Sequence, residues 1–160
     1  MLLKKQIIQN NKMIAIIRIS GRVEIKKDIV ETLNRLLLKR KYHCVAVQEK
    51  PELLGMVKKV NNFVAFGNID KEMLVKLIEK RGKLIKSINA KNKKENRGKI
   101  DASKIASEIM DKGKKLSDLG LKPFFRLHPP RGGIKSKVHF PKGVLGNHKE
   151  KINKLLERML

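Results

Sequence analysis

The sequence is poor in aromatic residues, in acids and in cysteine. Aromatic residues make up 4% of the 160 residues and tryptophan is absent, so the core must be built from Ile, Leu, Val and Met. Cys44 is the single cysteine, which excludes an intrachain disulfide and is typical of a reducing cytoplasm. The sequence has no run of about 20 apolar residues that could span a bilayer. Residues 1–8 also lack the apolar core of a signal peptide. We therefore expect a cytoplasmic protein with no membrane partner.

Positive charge is abundant and is spread along the chain. The formal net charge is +24, and residues 121–160 alone carry ten cationic and two acidic side chains. No acid occurs between Leu119 and Lys149. A compact chain with this charge repels itself, so the composition indicates a polyanionic partner that neutralises it.

The apolar pattern predicts alternating strands and helices. Residues 13–19, 42–47 and 62–67 are short apolar runs typical of buried strands. Helical spacing separates them, over residues 26–40 and from Pro51 to Val60. Further helices are predicted over residues 70–81, 101–112 and 115–119. A final helix is predicted with Asn147 as N-cap and Glu150 completing a capping box.

These elements divide the chain into four segments. Residues 1–12 are predicted to be an N-terminal extension and residues 13–68 an α+β core. Residues 69–120 form a helical insertion with a Lys- and Asn-rich linker. Residues 121–160 are an extended basic segment with little core of its own, followed by a C-terminal helix that packs on the core.

The strongest local motif is the basic segment that begins at Phe124. Its prolines stiffen the chain, its glycines allow close backbone approach, and its cations can each reach a phosphate. Phe124, Phe125 and Phe140 could stack on bases, although at least one should fill the core. A solvated basic loop is the competing interpretation. The candidate RNA-binding residues here are Arg126, His128, Pro130, Arg131, Gly132, Gly133, Lys135, Lys137, His139 and Lys142.

Two other places carry candidate RNA contacts. The turn before the first helix could bind phosphate through backbone N–H groups and flanking cations; an ordinary strand-to-helix loop is the alternative. The linker contributes Arg97 and Lys99, for which solvation is the competing interpretation. The candidates in the first loop are Arg18, Ser20, Gly21, Arg22 and Lys26.

The sequence offers no catalytic, metal or cofactor site. The three histidines after residue 120 have no cysteine or acid among them to complete a metal site. Cys44 lies in an apolar strand and is expected in the core. Ser20, His43 and Asp28 lack a nucleophile elbow. Residues 143–146 have the letters G-x-x-G, but no helix clearly precedes them, and phosphate-binding glycine motifs are absent. We therefore expect no enzyme, no cofactor and no small-molecule substrate.

Several segments resemble the large-subunit ribosomal protein thirty family, in particular its archaeal long form and the related eukaryotic large-subunit protein seven. Their order and spacing, from about Met13 to Leu160, carry the resemblance. The matching segments are residues 13–21, 36–40, 55–57, 62–67, 77–82, 123–127, 130–133 and 152–156.

The resemblance implies a small three-stranded β-α-β-α-β sheet, related to the ferredoxin-like fold, with both core helices on one face. It also implies antiparallel strands, whereas the bare pattern would favour parallel pairing. It implies contacts with large-subunit rRNA near 5S rRNA and with neighbouring ribosomal proteins. The family's RNA contacts fall on Arg18, Ser20 and Arg22 and on residues 130–133.

Two rival interpretations remain. A free-standing RNA chaperone or regulator of the same fold would leave large subunits at moderate salt and bind another RNA tightly. An RNA-processing enzyme would need a carboxylate cluster or a His–nucleophile pair, which the basic segments lack. The sequence favours a structural constituent of the large ribosomal subunit, located in the cytoplasm, that binds rRNA and supports translation.

Overall fold

The computed structural model describes residues 12–85 and 101–160. Two short 3₁₀ turns, Leu116–Leu119 and Lys149–Lys151, accompany the regular elements. In chain order the strands and helices are β1 (Met13–Arg18), α1 (Lys27–Arg35), β2 (His43–Gln48), α2 (Pro51–Lys59), β3 (Val64–Asn68), α3 (Lys71–Arg81), α4 (Ala102–Lys112), β4 (Phe125–Arg126), β5 (Gly146–Asn147) and α5 (Ile152–Met159).

The sheet is antiparallel around its central strand, β1. Its order is β4-β2-β1-β3-β5, and Ile16 lies opposite Val45 on one side and Phe66 on the other. The backbone N–H of Tyr42 donates to the Arg18 carbonyl at 2.7 Å, so β2 begins beside the end of β1 and must run back along it. The α+β fold is confirmed, and the antiparallel pairing implied by the resemblance is correct where the bare pattern favoured parallel strands.

Both faces of the sheet are covered by helices. Alternate residues of β1 point to opposite sides: Ile14 and Ile16 pack with α1 and α2, whereas Ala15 and Ile17 pack with α3, α4 and α5. The two core helices, α1 and α2, therefore lie on one face as expected, and the other helices cover the opposite face. A strand that is apolar on both faces needs a second layer, which the insertion and the C-terminal helix supply.

The sheet is also wider than the expected three strands. Residues after Leu119 provide β4, which pairs with β2, and β5, which runs parallel to β3. Phe125, Leu127 and Leu145 are buried in the core that the sheet shares with α3, α4 and α5, so the segment packs into the common core and not into a core of its own. Its apolar residues are too widely spaced to show a period, yet several of them reach the core, whereas Val138 is exposed.

Two predicted helix boundaries differ from the structure. The first helix ends at Arg35 instead of Arg40, because Leu37 adopts a positive φ of 61° and the fully buried Leu38 turns into the core. At the C-terminal end, the Asn147 carboxamide accepts the Lys149 N–H at 2.8 Å. Asn147 lies one residue before the N-cap of the 3₁₀ turn, His148, and α5 itself begins later, at Ile152, so the predicted N-cap at Asn147 is wrong.

Gly67 is the point where the C-terminal segment meets the sheet most closely. A Cβ at this position would overlap the Lys149 carbonyl and lie 2.9 Å from the Ile152 Cβ. By contrast, a Cβ on Gly55, within α2, would meet nothing within 4 Å.

We expect Gly67→Ala to destabilise the protein by about 1–3 kcal/mol, because the added methyl group overpacks the contact between β3 and the C-terminal segment. Gly55→Ala is the matched control and should stabilise the protein by about 0.5–1 kcal/mol, since alanine restricts the unfolded chain and favours helix. Urea denaturation measures both changes. Equal midpoints for the two variants would contradict this account of Gly67.

Candidate nucleic-acid interface

Arg18 is a structural residue of the first loop. Its side chain is fully buried, and its guanidinium donates to the carbonyls of Leu38 at 2.8 Å and Gly21 at 2.8 Å. It also donates to Ser20 and Lys39, at 3.0 and 3.2 Å. Burial, and then the nearby Arg22, lower the pKa of Arg18 from its usual value. The structure thus gives Arg18 a structural role, because its donors hold two loops together and its side chain is buried; its predicted RNA contact stays a prediction.

The rest of the first loop faces solvent. Gly21, Arg22 and Lys26 are exposed and Ser20 is half-buried. Arg22 donates to the Asn34 carboxamide at 3.2 Å, which orients it along the surface. An open cleft beside the loop is lined by Arg22 and by residues 39–41. The sequence pattern predicts Lys39 and Arg40 at the end of the first helix and does not include Lys41. None of the three was named as an RNA contact, although three consecutive cations before a strand are a visible signal.

The turn from Pro130 to Gly133 is held by Arg158 of α5. The Arg158 guanidinium donates to the Arg131 carbonyl at 2.8 and 3.0 Å and to the Gly133 carbonyl at 2.9 Å. In return, the Arg131 N–H donates to the Arg158 carbonyl at 2.9 Å. Gly132 and Gly133 have φ values of 79° and 71°, which favour glycine. The backbone is thus fixed while the Arg131 side chain stays exposed.

A basic cleft of about 330 Å³ lies between this turn and α5. It brings together the predicted Lys135 and Lys142 with Lys151, Lys154 and Arg158 of the C-terminal segment. The predicted Pro130 and Gly133 also line it. The three C-terminal cations were not among the predicted site residues. The sequence pattern around α5 shows only that they face solvent and does not indicate what they lie beside.

The histidines have different environments. His128 and His139 are exposed, and His139 Nε2 lies 2.9 Å from the Asn62 carboxamide oxygen. His148 is buried: it donates from Nε2 to the Val144 carbonyl at 2.7 Å, and its ring packs against Phe140 at a tilt of 39°, with ring centroids 4.5 Å apart. Burial lowers the pKa of His148, partly offset by that hydrogen bond. Within residues 12–85 and 101–160, no three His, Cys, Asp or Glu side chains are grouped to hold a metal ion.

The remaining predicted residues are placed as follows. Arg126 is exposed on β4, opposite His43 of β2. Lys137 is exposed but lines none of the basic clefts. Arg97 and Lys99 lie outside the described residues. Phe125 fills the core, whereas Phe124 and Phe140 are half-buried.

The cations of these surfaces have no acidic partners in the part of the chain that the structure describes. Its three ion pairs are Arg35–Glu31, Lys104–Asp101 and Lys114–Glu108. None of them involves a residue of the clefts described above. Unpaired cations gathered on a surface attract polyanions and raise their local concentration.

Comparison with known proteins shows which family this arrangement belongs to. The family model for ribosomal protein L30p/L7e matches residues 14–64. The large ribosomal subunit protein uL30 of Archaeoglobus fulgidus is 41% identical over 151 residues, covering 92% of this chain and 99% of that protein. The uL30 proteins of Methanococcus vannielii (40%, covering 91% and 98%) and Methanosphaera stadtmanae (39%, covering 92% and 100%) are similar over the same extent.

The chain belongs to the L30p/L7e family. The resemblance found in the sequence is confirmed, and it covers the insertion and the C-terminal helix as well as the core. The L30p/L7e relatives are ribosomal proteins and not enzymes, which confirms the expectation of no catalysis. Consistent with this, burial raises the pKa of Cys44 to about 12, so its thiol is unsuited to act as a nucleophile. None of the described helices is long and apolar enough to cross a membrane.

Replacing Arg18 should cost stability, because it would leave several buried carbonyls without donors. We expect Arg18→Met to lower the free energy of unfolding by about 3 kcal/mol. Arg22→Met, which changes an exposed arginine four residues away, should stay within about 0.5 kcal/mol of the parent. Chemical denaturation followed by circular dichroism measures both. If the two variants were equally stable, Arg18 would not hold the loops as described.

Proposed function

We propose that this protein is a structural constituent of the large ribosomal subunit and acts in the cytoplasm by binding and stabilising rRNA. The observation that carries the proposal is the clamped turn at residues 130–133, flanked by unpaired cations of the basic cleft. The names of the uL30 relatives support the ribosomal assignment. Neighbouring ribosomal proteins are further partners in this proposal.

The binding mechanism follows from the geometry of the two surfaces. Exposed lysines and arginines neutralise phosphates and release counterions, which supplies most of the affinity. The Arg158 clamp fixes the turn before RNA arrives, so less conformational entropy is lost on binding. Specificity then comes mainly from RNA shape, with Arg131 able to stack on an unpaired base or reach a phosphate.

We further propose that the bound region of large-subunit rRNA lies close to 5S rRNA, as the family resemblance implies. Footprinting of the protein on intact large-subunit RNA should protect nucleotides around the 5S contact. Protection confined to regions far from 5S rRNA would contradict this finer proposal and leave the ribosomal assignment intact. Tight binding to another RNA, with loss from large subunits at moderate salt, would favour a free-standing RNA chaperone or regulator.

We expect Arg131→Ala to weaken rRNA binding and to reduce the salt slope, that of log Kobs against log salt concentration, by about one, because one phosphate contact is lost. Filter binding at several salt concentrations measures this. Lys112→Ala is a charge-matched control, since Lys112 is exposed and lines none of the basic clefts. A slope that is the same in both variants would show that Arg131 is merely solvated.

Arg158→Lys tests the clamp separately from the charge. Lysine keeps the cation but cannot donate to the Arg131 and Gly133 carbonyls in the same fork geometry. We expect an affinity loss of about three- to tenfold with an almost unchanged salt slope, because the turn is loosened while the charge remains. Unchanged affinity, measured in the same binding assay, would argue that the clamp does not pre-order the turn for RNA.

A further inference from the structure

A third basic cleft, of about 290 Å³, lies between the β2–β4 edge of the sheet and the end of α3. Only Arg126 among its residues was predicted from the sequence. Six cations and two aromatic rings line it: Lys39, Arg40, Arg81, Lys83, Lys122, Arg126, His43 and Phe124.

Three separate stretches of the chain, residues 39–40, 81–83 and 122–126, bring these cations together. Lys39 and Arg40 precede β2, Arg126 lies on β4, and Arg81 ends α3. The segments after α3 and before β4 are joined backbone to backbone, with the Lys122 N–H donating to the Lys83 carbonyl at 2.8 Å. Convergence from distant positions in the sequence is why no local motif indicates this cleft.

His43 and Phe124 belong to the inner wall of the cleft. The His43 ring stacks on Phe124 with centroids 4.8 Å apart and planes 18° from parallel. His43 is only 6% exposed, and its two ring nitrogens have no hydrogen-bond partner among the described residues. The Arg81 Nε is similarly buried and without a partner there. Buried polar atoms without a partner are uncommon in native proteins, and each calls for an explanation such as a functional role or a bound water or ion.

The cations of the cleft are close together and without acidic side-chain partners among the described residues, although Arg81 donates to the Leu160 oxygen at 2.8 Å. None of its cations takes part in the three ion pairs of the described residues. Burial, and then Arg126, Arg40 and Arg18, lower the pKa of His43. The Leu37 backbone partly offsets this, although its contact with the ring falls short of hydrogen-bond geometry. A neutral ring at neutral pH avoids adding a further charge to the cluster.

We propose that this cleft binds the phosphodiester backbone of an RNA strand. It shares Lys39 and Arg40 with the cleft beside the first loop, so the two form one basic track from Arg22 to Arg126. An extended track of unpaired cations suits a chain of phosphates better than a single small anion. This inference rests on the proposed function and adds a second, separate RNA contact to the clamped turn.

The first test removes the charges of Lys83 and Lys122. These two residues are joined through their backbones, so their side chains can be replaced without removing that hydrogen bond. We expect Lys83→Gln with Lys122→Gln to reduce the salt slope of rRNA binding by roughly 1.5–2 and to weaken affinity at low salt. The matched control is Lys76→Gln with Lys112→Gln, two exposed lysines that line none of the basic clefts. Salt slopes that fall equally in both double variants would overturn the proposal that this cleft binds RNA.

The outcomes separate this inference from the proposed function. If the parent protein does not bind large-subunit rRNA, the proposed function fails. If the parent binds and Arg131→Ala reduces the slope, but the cleft variant behaves like its control, only the cleft proposal fails.

A second test uses the His43 ring as a reporter in the full chain. The sequence has four histidines, so their ring signals can be assigned by NMR with single substitutions. A bound phosphate would offset the repulsion from Arg126, Arg40 and Arg18, and the pKa of His43 should rise. We expect this rise on adding a single-stranded RNA oligonucleotide at micromolar concentration, and no comparable change with equimolar inorganic phosphate. An equal response to both would indicate a simple anion site, and no response to the RNA would also overturn the proposal.

Discussion

The central strand is apolar on both faces, and the architecture depends on that constraint. Each residue of β1 is buried, so the sheet needs a layer of helices on either side. Residues 12–68 supply only one, through α1 and α2. The second layer comes from α3, α4 and α5. This explains why the helices of the insertion and the C-terminal helix pack against the core.

The C-terminal segment connects this packing to the binding surface. It contributes β5 to the sheet, crosses β3 closely at Gly67, and places α5 on the second face. The same helix carries Arg158, whose guanidinium fixes the turn at residues 130–133. The apolar face of α5 therefore stabilises the fold while its polar face orders the backbone that presents Arg131.

The cationic side chains likewise have two different roles, one inside the fold and one on its surface. Arg18 lies inside and binds carbonyls, so its charge is used within the fold. The arginines and lysines of the clefts remain on the surface without acidic partners in the described chain. Their mutual repulsion is tolerable because most are solvent-exposed, where water and salt screen them. A polyanion that displaces this screening gains affinity from the release of its own counterions.

The sequence by itself determined the order of strands and helices, the polyanionic class of partner and the family. Apolar periodicity indicates each predicted element, and the net charge of the chain is the same however it folds. The sequence also marked residues 130–133 as a candidate RNA contact, because proline and paired glycines are local signals. Only the tertiary structure decided that Arg18 is buried, that residues after Leu119 complete the sheet, and that cations from three stretches of the chain meet around His43. Burial and convergence depend on contacts between residues far apart in the chain, and no local pattern encodes them.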